Sequence, residues 1–295
     1  MKPVILGIAG PVLTADERSL LRDHAPRGVI LFSRNIESVA QLSDLNAELK
    51  SILPPDAVLM VDQEGGRVAR LRPPHWPALP PAGTLRTREQ AYAHGGALGA
   101  MVREVGFTMT AAPVLDLHIE GANSIIGDRA IAGTGWVEDV ETGMAGSAAA
   151  WAGALGGCVA RGIMEAGVTP VMKHIPGHGR ALLDSHLALP RVAVNDIHDH
   201  LPFMMNRDLP WAMTAHIVYE QWDVERPATI SPVVIEKIIR GVIGFTGQLM
   251  SDDLAMHALS GTPRARALAA LAAGCDVALY CPGDFPGNRQ ILEAL

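Results

Sequence analysis

Short apolar runs alternate with longer amphipathic stretches along the whole chain. Within each apolar run the residues are continuously hydrophobic and do not alternate with polar ones, which is typical of strands buried on both faces of a parallel sheet. The predicted strands cover residues 4–9, 28–32, 57–62, 107–117, 169–174, 211–218, 248–252 and 277–281. The intervening stretches predict helices at residues 16–23, 39–53, 88–105, 140–165, 196–207, 232–240 and 263–273.

This alternation predicts the α/β class and a single (β/α)8 TIM-type barrel, formed by residues 1–295 as one domain. An open doubly wound sheet is the alternative, but no Gly-x-Gly-x-x-Gly motif follows the first predicted strand. The stretch after Pro286 is short. We therefore expect the last outer helix to be abbreviated or supplied by a neighbouring molecule.

Polar residues recur at the carboxyl ends of the predicted strands. In a (β/α)8 barrel those ends converge on one face, where active sites are built. A single polar residue there often satisfies loop backbone groups, but such residues on five strands favour a shared site. These residues are Asp62, Asp116, Lys173, His174, His216 and Asp252.

The composition narrows the functional classes. With 19% charged residues and a formal net charge of −7, the chain lacks the basic surface that nucleic-acid binding requires. No apolar run approaches the roughly 20 residues of a membrane-spanning helix, and the N-terminal segment predicts a strand rather than a signal peptide. The scattered cysteines, Cys158, Cys275 and Cys281, lack metal-binding spacing and predict reduced thiols in a cytoplasmic protein.

Asp252 is the first candidate for chemistry, because it ends an apolar strand with a carboxylate. An ionised Asp that faces a cavity can attack a sugar anomeric carbon or stabilise positive charge on it. The adjacent Asp253 would point away from Asp252 if the strand continues, and we expect it to act as a helix N-cap.

Asp184 and His186 form a second candidate, separated by one residue. A carboxylate beside an imidazole can hold it in one tautomer and raise its proton affinity. A surface pair without function is the alternative, but Pro176, Gly177 and Gly179 predict a long irregular loop of the kind that carries functional residues.

Further polar side chains suit substrate binding. Asp62 can accept hydrogen bonds from two sugar hydroxyls, and Arg70 and Arg129 are additional candidates. Lys173, which precedes His174 at a strand end, can bind hydroxyls or form a Schiff base if burial lowers its pKa. A metal site is disfavoured, since no His-x-His lies on the first strand and no His-Glu-x-x-His occurs.

Five segments together resemble the bacterial β-N-acetylglucosaminidases of glycoside hydrolase family 3, the cytoplasmic enzymes of cell-wall recycling. In chain order they are 61–68 (VDQEGGRV), 126–129 (IGDR), 173–179 (KHIPGHG), 184–186 (DSH) and 251–254 (SDDL). They follow the family's order, and as a set they are highly specific. The chain departs from the family at 130–136 (AIAGTGW), where an aromatic residue and then Gly-x-Asp-Pro are usual, and at Gln248, where an apolar residue is expected.

The resemblance implies a single barrel, often monomeric, that removes terminal β-linked N-acetylglucosamine from 1,6-anhydro-muropeptides with retention of configuration. It implies no metal or other cofactor. It places the nucleophile at Asp252 and the acid/base at His186, with Asp184 as the partner of that histidine. The implied sugar-binding positions are Asp62, Arg70, Arg129, Lys173 and His174.

Three other hypotheses stay open at this point. A phosphorylase on the same scaffold would use a histidine acid/base to avoid the repulsion between a carboxylate and phosphate. A non-catalytic sugar-binding protein would retain the pocket, although the intact Asp252, Asp184 and His186 argue against it. An aldolase would use Lys173 as its Schiff-base residue.

Overall fold

Eight parallel strands close into a barrel in the computed structural model, which describes residues 1–122, 124–132, 136–138, 145–183, 189–194 and 196–295. The strands are β1 Lys2–Gly7, β2 Pro26–Leu31, β3 Val58–Val61, β4 Met109–Thr110, β5 Thr169–Ile175, β6 Trp211–Thr214, β7 Gln248–Asp253 and β8 Val277–Tyr280. Each pairs in parallel with its neighbours in the chain, and β8 pairs with β1 from Val4↔Ala278 to Leu6↔Tyr280. The predicted (β/α)8 barrel is confirmed.

Eight helices accompany these strands in the part of the chain that the structure describes. They are α1 Ala15–His24, α2 Val39–Ile52, α3 Arg88–Glu104, α4 Ala148–Glu165, α5 Ile197–Met205, the π-helical α6 Val234–Val242, α7 Pro263–Ala273 and α8 Phe285–Ala294. The last helix, α8, is a short helix of ten residues, and this chain supplies it. Asn288 Nδ2 on α8 donates to the Gly7 carbonyl of β1 over 2.9 Å, which ties the last helix to the first strand.

Side-chain caps explain where most of the helices begin. A hydroxyl or carboxylate before the first turn accepts a backbone N–H that has no partner inside the helix. The capping residues are Thr14, Ser38, Thr87, Asp196, Thr262 and Asp284. No helix among the described residues is long and apolar enough to cross a membrane.

Three predicted elements differ from the observed ones. The predicted strand at 211–218 ends at Thr214, and Val218–Tyr219 pairs in parallel with Arg191–Val192 in a separate two-stranded sheet. Residues 107–117 contain only the two-residue strand β4, because Pro113 has no N–H to donate, although the chain still bonds to β5 farther on. The predicted helix at 140–165 begins only at Ala148, and Ala145–Ser147 pairs antiparallel with Trp136–Glu138 instead. Gly146 favours this outcome, since a glycine costs a helix about 1 kcal/mol relative to alanine, whereas residues 139–144 lie outside the described part of the chain.

Large apolar side chains fill the interior of the barrel. They form one buried cluster whose members include Ile5, Ile30, Met60, Met109, Val171, Trp211, Met250 and Leu279. The indole of Trp211 also lies under the Arg27 guanidinium, 5.6 Å from the ring centroid. Because the interior is packed, a ligand has room at the carboxyl ends of the strands rather than inside the barrel.

Candidate active site

A cavity of about 240 Å³ lies at the carboxyl ends of the strands. Six of the predicted site residues line it together, namely Asp62, Arg70, Arg129, Lys173, His174 and Asp252. Glu64, Arg67, His178 and Asp253 add polar groups to the same lining. The two other predicted site residues, Asp184 and His186, lie outside the described residues.

Five charged side chains form a continuous network in the wall of this cavity. The Asp62 carboxylate bridges Arg70 Nη2 at 3.0 Å and Lys173 Nζ at 3.3 Å. The Glu64 carboxylate bridges Lys173 Nζ at 2.6 Å and the Arg129 guanidinium, whose Nε and Nη2 donate over 2.8 and 2.9 Å. Each carboxylate is thus held between two cations by charge-assisted hydrogen bonds.

The network keeps all of its members charged. Burial by itself raises the pKa of the Asp62 and Glu64 carboxyls, but the nearby cations outweigh it and hold both pKa values below their ordinary range. Burial likewise lowers the pKa of Lys173, which is 3% exposed, but the two carboxylates outweigh it and raise that pKa above its ordinary value. A Schiff-base lysine needs a lowered pKa, so the two ion pairs of Lys173 argue against the aldolase hypothesis.

A tight turn after β3 aligns the first part of the network. Gly65 takes φ +94°, and a Cβ on it would come within 2.4 Å of the Pro80 carbonyl oxygen, so only glycine fits there. The turn closes with a 2.9 Å bond from the Glu64 N–H to the Val68 carbonyl. Gln63 Oε1 then accepts the backbone N–H of Arg70 over 2.8 Å, which brings Arg70 back beside Asp62.

Asp116 and two histidines form a second buried group. Asp116 Oδ2 accepts a 2.6 Å hydrogen bond from His174 Nδ1, and Oδ1 accepts the backbone N–H of His178 over 2.7 Å. Burial raises the pKa of the Asp116 carboxyl, but the two histidines outweigh it and hold that pKa below its ordinary value. Because a carboxylate only accepts, this bond places a proton on His174 Nδ1. The other ring nitrogen, Nε2, takes no part in the bond.

His178 stays neutral in this group. Burial, and then the neighbouring His174, lower the pKa of the His178 imidazole to about 4. From the sequence we predicted Asp116 only as one of the polar residues at the strand ends. Among the described residues no three His, Cys, Asp or Glu side chains are arranged to hold a metal ion.

Asp252 projects from the end of β7 and is half-buried at the cavity. Its Oδ1 accepts the Asp253 N–H over 2.8 Å. Burial raises the pKa of the Asp252 carboxyl, but His216 and His174, with the N–H bond, lower it below its ordinary value. The carboxylate is therefore ionised at neutral pH, as a nucleophile must be.

We had expected Asp253 to cap a helix. It does not, because the next helix begins only at Pro263. Its Oδ1 instead accepts the N–H groups of Ala255 at 2.9 Å and Cys281 at 3.0 Å. Both donors lie beyond Asp253 and Leu279, the last paired residues of β7 and β8, so the ladder between these strands offers them no acceptor. The Asp253 carboxyl accepts them instead.

The described start of the loop that leads toward residue 184 is held firmly. Tyr219 OH donates to the Gly177 carbonyl over 2.8 Å, and a Cβ on Gly179 would come within 2.2 Å of the Leu117 carbonyl oxygen. Arg180 donates to Asp199 over 2.6 Å and to Asp196 over 2.9 Å at the start of α5. The loop therefore leaves the barrel in a set direction beside the cavity.

The family described as "Glycosyl hydrolase family 3 N terminal domain" matches residues 6–295. The chain belongs to glycosyl hydrolase family 3. It is 41% identical over 305 residues to a protein from Methylococcus capsulatus that is named beta-hexosaminidase. The match covers 98% of this chain and 85% of the relative. Family 3 members are glycoside hydrolases, so the chain is an enzyme that acts on a carbohydrate.

Two solved structures of family 3 enzymes share this fold. A β-N-acetylglucosaminidase from Paenibacillus superposes with a TM-score of 0.87 at 32% identity, covering 99% of this chain and 56% of that one. NagZ from Neisseria gonorrhoeae, solved in complex with N-trifluoroacetyl-D-glucosamine, superposes with a TM-score of 0.84 at 30% identity, covering 99% of this chain and 88% of that one. The likeness to both structures therefore extends over the whole family 3 barrel.

Asp116 is expected to contribute stability that disappears in acid. The pKa of its carboxyl is below the ordinary value in the folded protein, so its contribution is complete above the unfolded-state pKa and is lost as the pH falls through the folded-state pKa. Asp116→Asn should lower the free energy of unfolding by about 2–3 kcal/mol at pH 7, because charged hydrogen bonds are lost. The deficit relative to wild type should shrink below about pH 4. Urea unfolding at several pH values measures this difference.

The exposed Asp56 provides the control for this comparison. Asp56→Asn should leave the pH dependence of unfolding unchanged. An Asp116→Asn protein whose deficit is the same at pH 7 and in acid would show that the carboxylate charge does not carry the effect.

Proposed function

We propose that this family 3 enzyme is a retaining β-N-acetylhexosaminidase that removes terminal β-linked N-acetylglucosamine from peptidoglycan fragments, including 1,6-anhydro-muropeptides. The observation that carries this proposal is the ionised Asp252 carboxylate in one cavity with the Asp62–Lys173–Glu64 network. The names of the relatives, a beta-hexosaminidase and a NagZ bound to an N-acylated glucosamine, support the substrate class.

In the first step Asp252 attacks the anomeric carbon of the bound sugar while His186 donates a proton to the departing glycosidic oxygen. The bond between the anomeric carbon and that oxygen breaks, and an ester between the sugar and Asp252 forms. Asp184 orients His186 and stabilises the imidazolium before the proton leaves.

In the second step the neutral His186 takes a proton from a water molecule. The water oxygen attacks the anomeric carbon, the ester bond breaks, and the Asp252 carboxylate is regenerated. Two inversions at the same carbon give net retention. The chemistry uses side chains alone and requires no cofactor.

The remaining predicted residues are proposed to bind the sugar. Asp62 is suited to accept hydroxyl protons, since Arg70 and Lys173 keep it ionised. Arg129 and Lys173 are suited to donate to hydroxyl or carbonyl oxygens, and His174 presents an imidazole fixed by Asp116. These groups would hold the anomeric carbon in line with Asp252.

We further propose that residues 1–295 act as one catalytic domain, as a monomer, in the cytoplasmic recycling of cell-wall fragments. A formal net charge of −7 is unsuited to nucleic acid or to an anionic membrane surface. The substrate is then a small carbohydrate that diffuses to the open cavity.

Hydrolysis of an aryl β-N-acetylglucosaminide in the presence of a chelator tests the activity. We expect turnover, with the β-anomer of N-acetylglucosamine released first in an NMR time course. Release of the α-anomer would contradict double displacement, and a rate that rises with phosphate together with a sugar-1-phosphate product would indicate a phosphorylase. A folded protein without turnover would favour a binding protein.

A further inference from the structure

The regular pairing of β7 with β6 stops before the proposed nucleophile. The ladder between the two strands runs from Gln248↔Trp211 to Met250↔Met213 and goes no farther. On its other side β7 shifts register against β8 between Met250 and Asp253. The backbone that carries Asp252 therefore lies beyond the ladder with β6 and within the register shift against β8.

Side chains at the end of β6 and after it hydrogen-bond the backbone of β7 where this ladder stops. Thr214 Oγ1 accepts the Asp252 N–H over 3.3 Å, and His216 Nε2 lies 2.9 Å from the Asp253 carbonyl oxygen. Both side chains meet the Thr229 hydroxyl, at 2.8 Å from Thr214 Oγ1 and 2.6 Å from His216 Nδ1. All three residues are fully buried.

The partners determine which atoms donate. A carbonyl oxygen only accepts, so His216 Nε2 carries a proton and donates it to Asp253. His216 Nδ1 hydrogen-bonds the Thr229 hydroxyl over 2.6 Å, and the Ala215 carbonyl lies 3.2 Å from the same hydroxyl. The Thr214 and Thr229 hydroxyls hydrogen-bond each other, and the Thr214 oxygen accepts the Asp252 N–H.

We propose that Thr214, His216 and Thr229, here called the β6 brace, position the Asp252 carboxylate for attack on the sugar. The brace holds the N–H before the Asp252 side chain and the carbonyl of the residue after it, so it restricts rotation of the backbone on both sides. These are positioning residues, since none of the three is among the described residues that line the cavity. The inference rests on the proposed role of Asp252 as nucleophile.

The test compares Thr229→Val with Thr229→Ser. Valine keeps the shape of threonine but removes the hydroxyl that joins the two halves of the brace, whereas serine keeps the hydroxyl. We expect Thr229→Val to lower kcat by about 10- to 100-fold, the loss that a small misplacement of a reacting group produces. KM should stay within about twofold, because the sugar-binding groups are unaffected. Thr229→Ser should retain nearly all of the wild-type kcat.

Thr108→Val is the matched control. The Thr108 hydroxyl also bonds a neighbouring strand, accepting the Leu59 N–H over 2.9 Å, but it lies before β4, at the opposite end of the barrel from the cavity. We expect this variant to lose stability without losing kcat. Thr214→Val should resemble Thr229→Val, and the double variant should be no slower than either single variant, because both remove the same chain of bonds.

A 5-fluoro-N-acetylglucosaminyl fluoride, which traps glycosyl esters, separates reactivity from folding. The final extent of labelling counts the competent protein, and the rate of labelling measures the reactivity of Asp252. We expect wild type to be labelled on Asp252, and Thr229→Val to be labelled on the same residue to the same extent but 10- to 100-fold more slowly.

Three results would overturn the inference in distinguishable ways. A wild-type enzyme labelled on another residue would refute the nucleophile, and the brace with it. Wild-type labelling on Asp252 with an unchanged rate in Thr229→Val would refute the brace alone. Equal slowing in Thr108→Val, or strictly additive effects of Thr214→Val and Thr229→Val, would show a general loss of packing instead.

Discussion

Asp252→Asn is expected to lower kcat/KM for an aryl β-N-acetylglucosaminide by roughly a thousand- to a hundred-thousand-fold, because an amide cannot form the glycosyl ester. The protein should still fold, with a modest loss of stability. The Asp252 carboxylate accepts one backbone N–H, from Asp253, which the amide oxygen of asparagine can also accept, so the loss is limited to the charge interactions that lower the Asp252 pKa. Steady-state kinetics and a thermal unfolding curve on the same preparation measure both effects.

Asp276→Asn gives the opposite pattern and serves as the control. Asp276 precedes β8 at the amino end of the barrel, where its Oδ2 accepts the Leu249 N–H over 2.8 Å and pairs with Arg240 at 2.7 Å. This variant should lose about 1 kcal/mol of stability and keep its activity. An Asp252→Asn enzyme with more than a tenth of wild-type activity would end the assignment of the nucleophile.

Azide provides a more specific check on the role of Asp252. In Asp252→Ala the space left by the carboxylate should admit azide, which attacks the anomeric carbon from the same side. The product should then be the α-glycosyl azide, since one inversion converts a β-linked substrate to α. Formation of the β-azide would place Asp252 on the acid/base side of the sugar instead.

Glu64→Gln is expected to have the largest effect on stability. Glu64 is 5% exposed and neutralises Lys173 and Arg129, which are themselves buried. Breaking a buried ion pair by removing one partner costs about 3–5 kcal/mol, because the remaining charges stay out of water. The pKa of Lys173 should also fall, since burial lowers it and one of the two carboxylates that oppose burial is gone. Urea unfolding and acylation of Lys173, followed by mass spectrometry, measure these changes.

Glu48→Gln is the matched control for this charge removal. Glu48 pairs with Arg18 on the surface, where side-chain exposures are 29% and 40%, and such a pair contributes at most about 1 kcal/mol. If Glu64→Gln proves no less stable than Glu48→Gln, the network in the cavity wall does not need the Glu64 charge for stability.

The strand pattern allowed most of the fold to be predicted, because continuous apolar runs separated by helices suit a buried parallel sheet. β4 and the predicted end of β6 were the exceptions. Residues 107–117 are as apolar as the other runs, but Pro113 interrupts the donors of the ladder, which hydrophobicity does not report. The start of α4 was also predicted wrongly, because an Ala-rich stretch is typical of a helix. The sequence does not show that Ala145–Ser147 pairs with Trp136–Glu138.

Within the site, residue type and position at a strand end were enough to predict Asp62, Lys173, His174 and Asp252 as neighbours. Glu64 was missed, because nothing in the sequence shows that the turn after β3 brings it between Lys173 and Arg129. Its place in the segment VDQEGGRV, beside Asp62 and two glycines, was the available signal. For Asp253 the expected helix cap was wrong, because its carboxyl accepts the N–H groups of Cys281, just after β8, and of Ala255 in its own turn.

The sequence by itself determined the barrel, the face on which the site lies, and the residue types that line it, because strand ends and hydrophobic runs are local properties of the chain. Only the tertiary structure decided the charge states and the partners. Whether Lys173 is an ammonium or a Schiff-base amine depends on Asp62 and Glu64, which lie more than a hundred residues away in the chain. The hydrogen bonds that hold Asp252 in place likewise join β7 to Thr214, His216 and Thr229, and no sequence pattern specifies such long-range contacts.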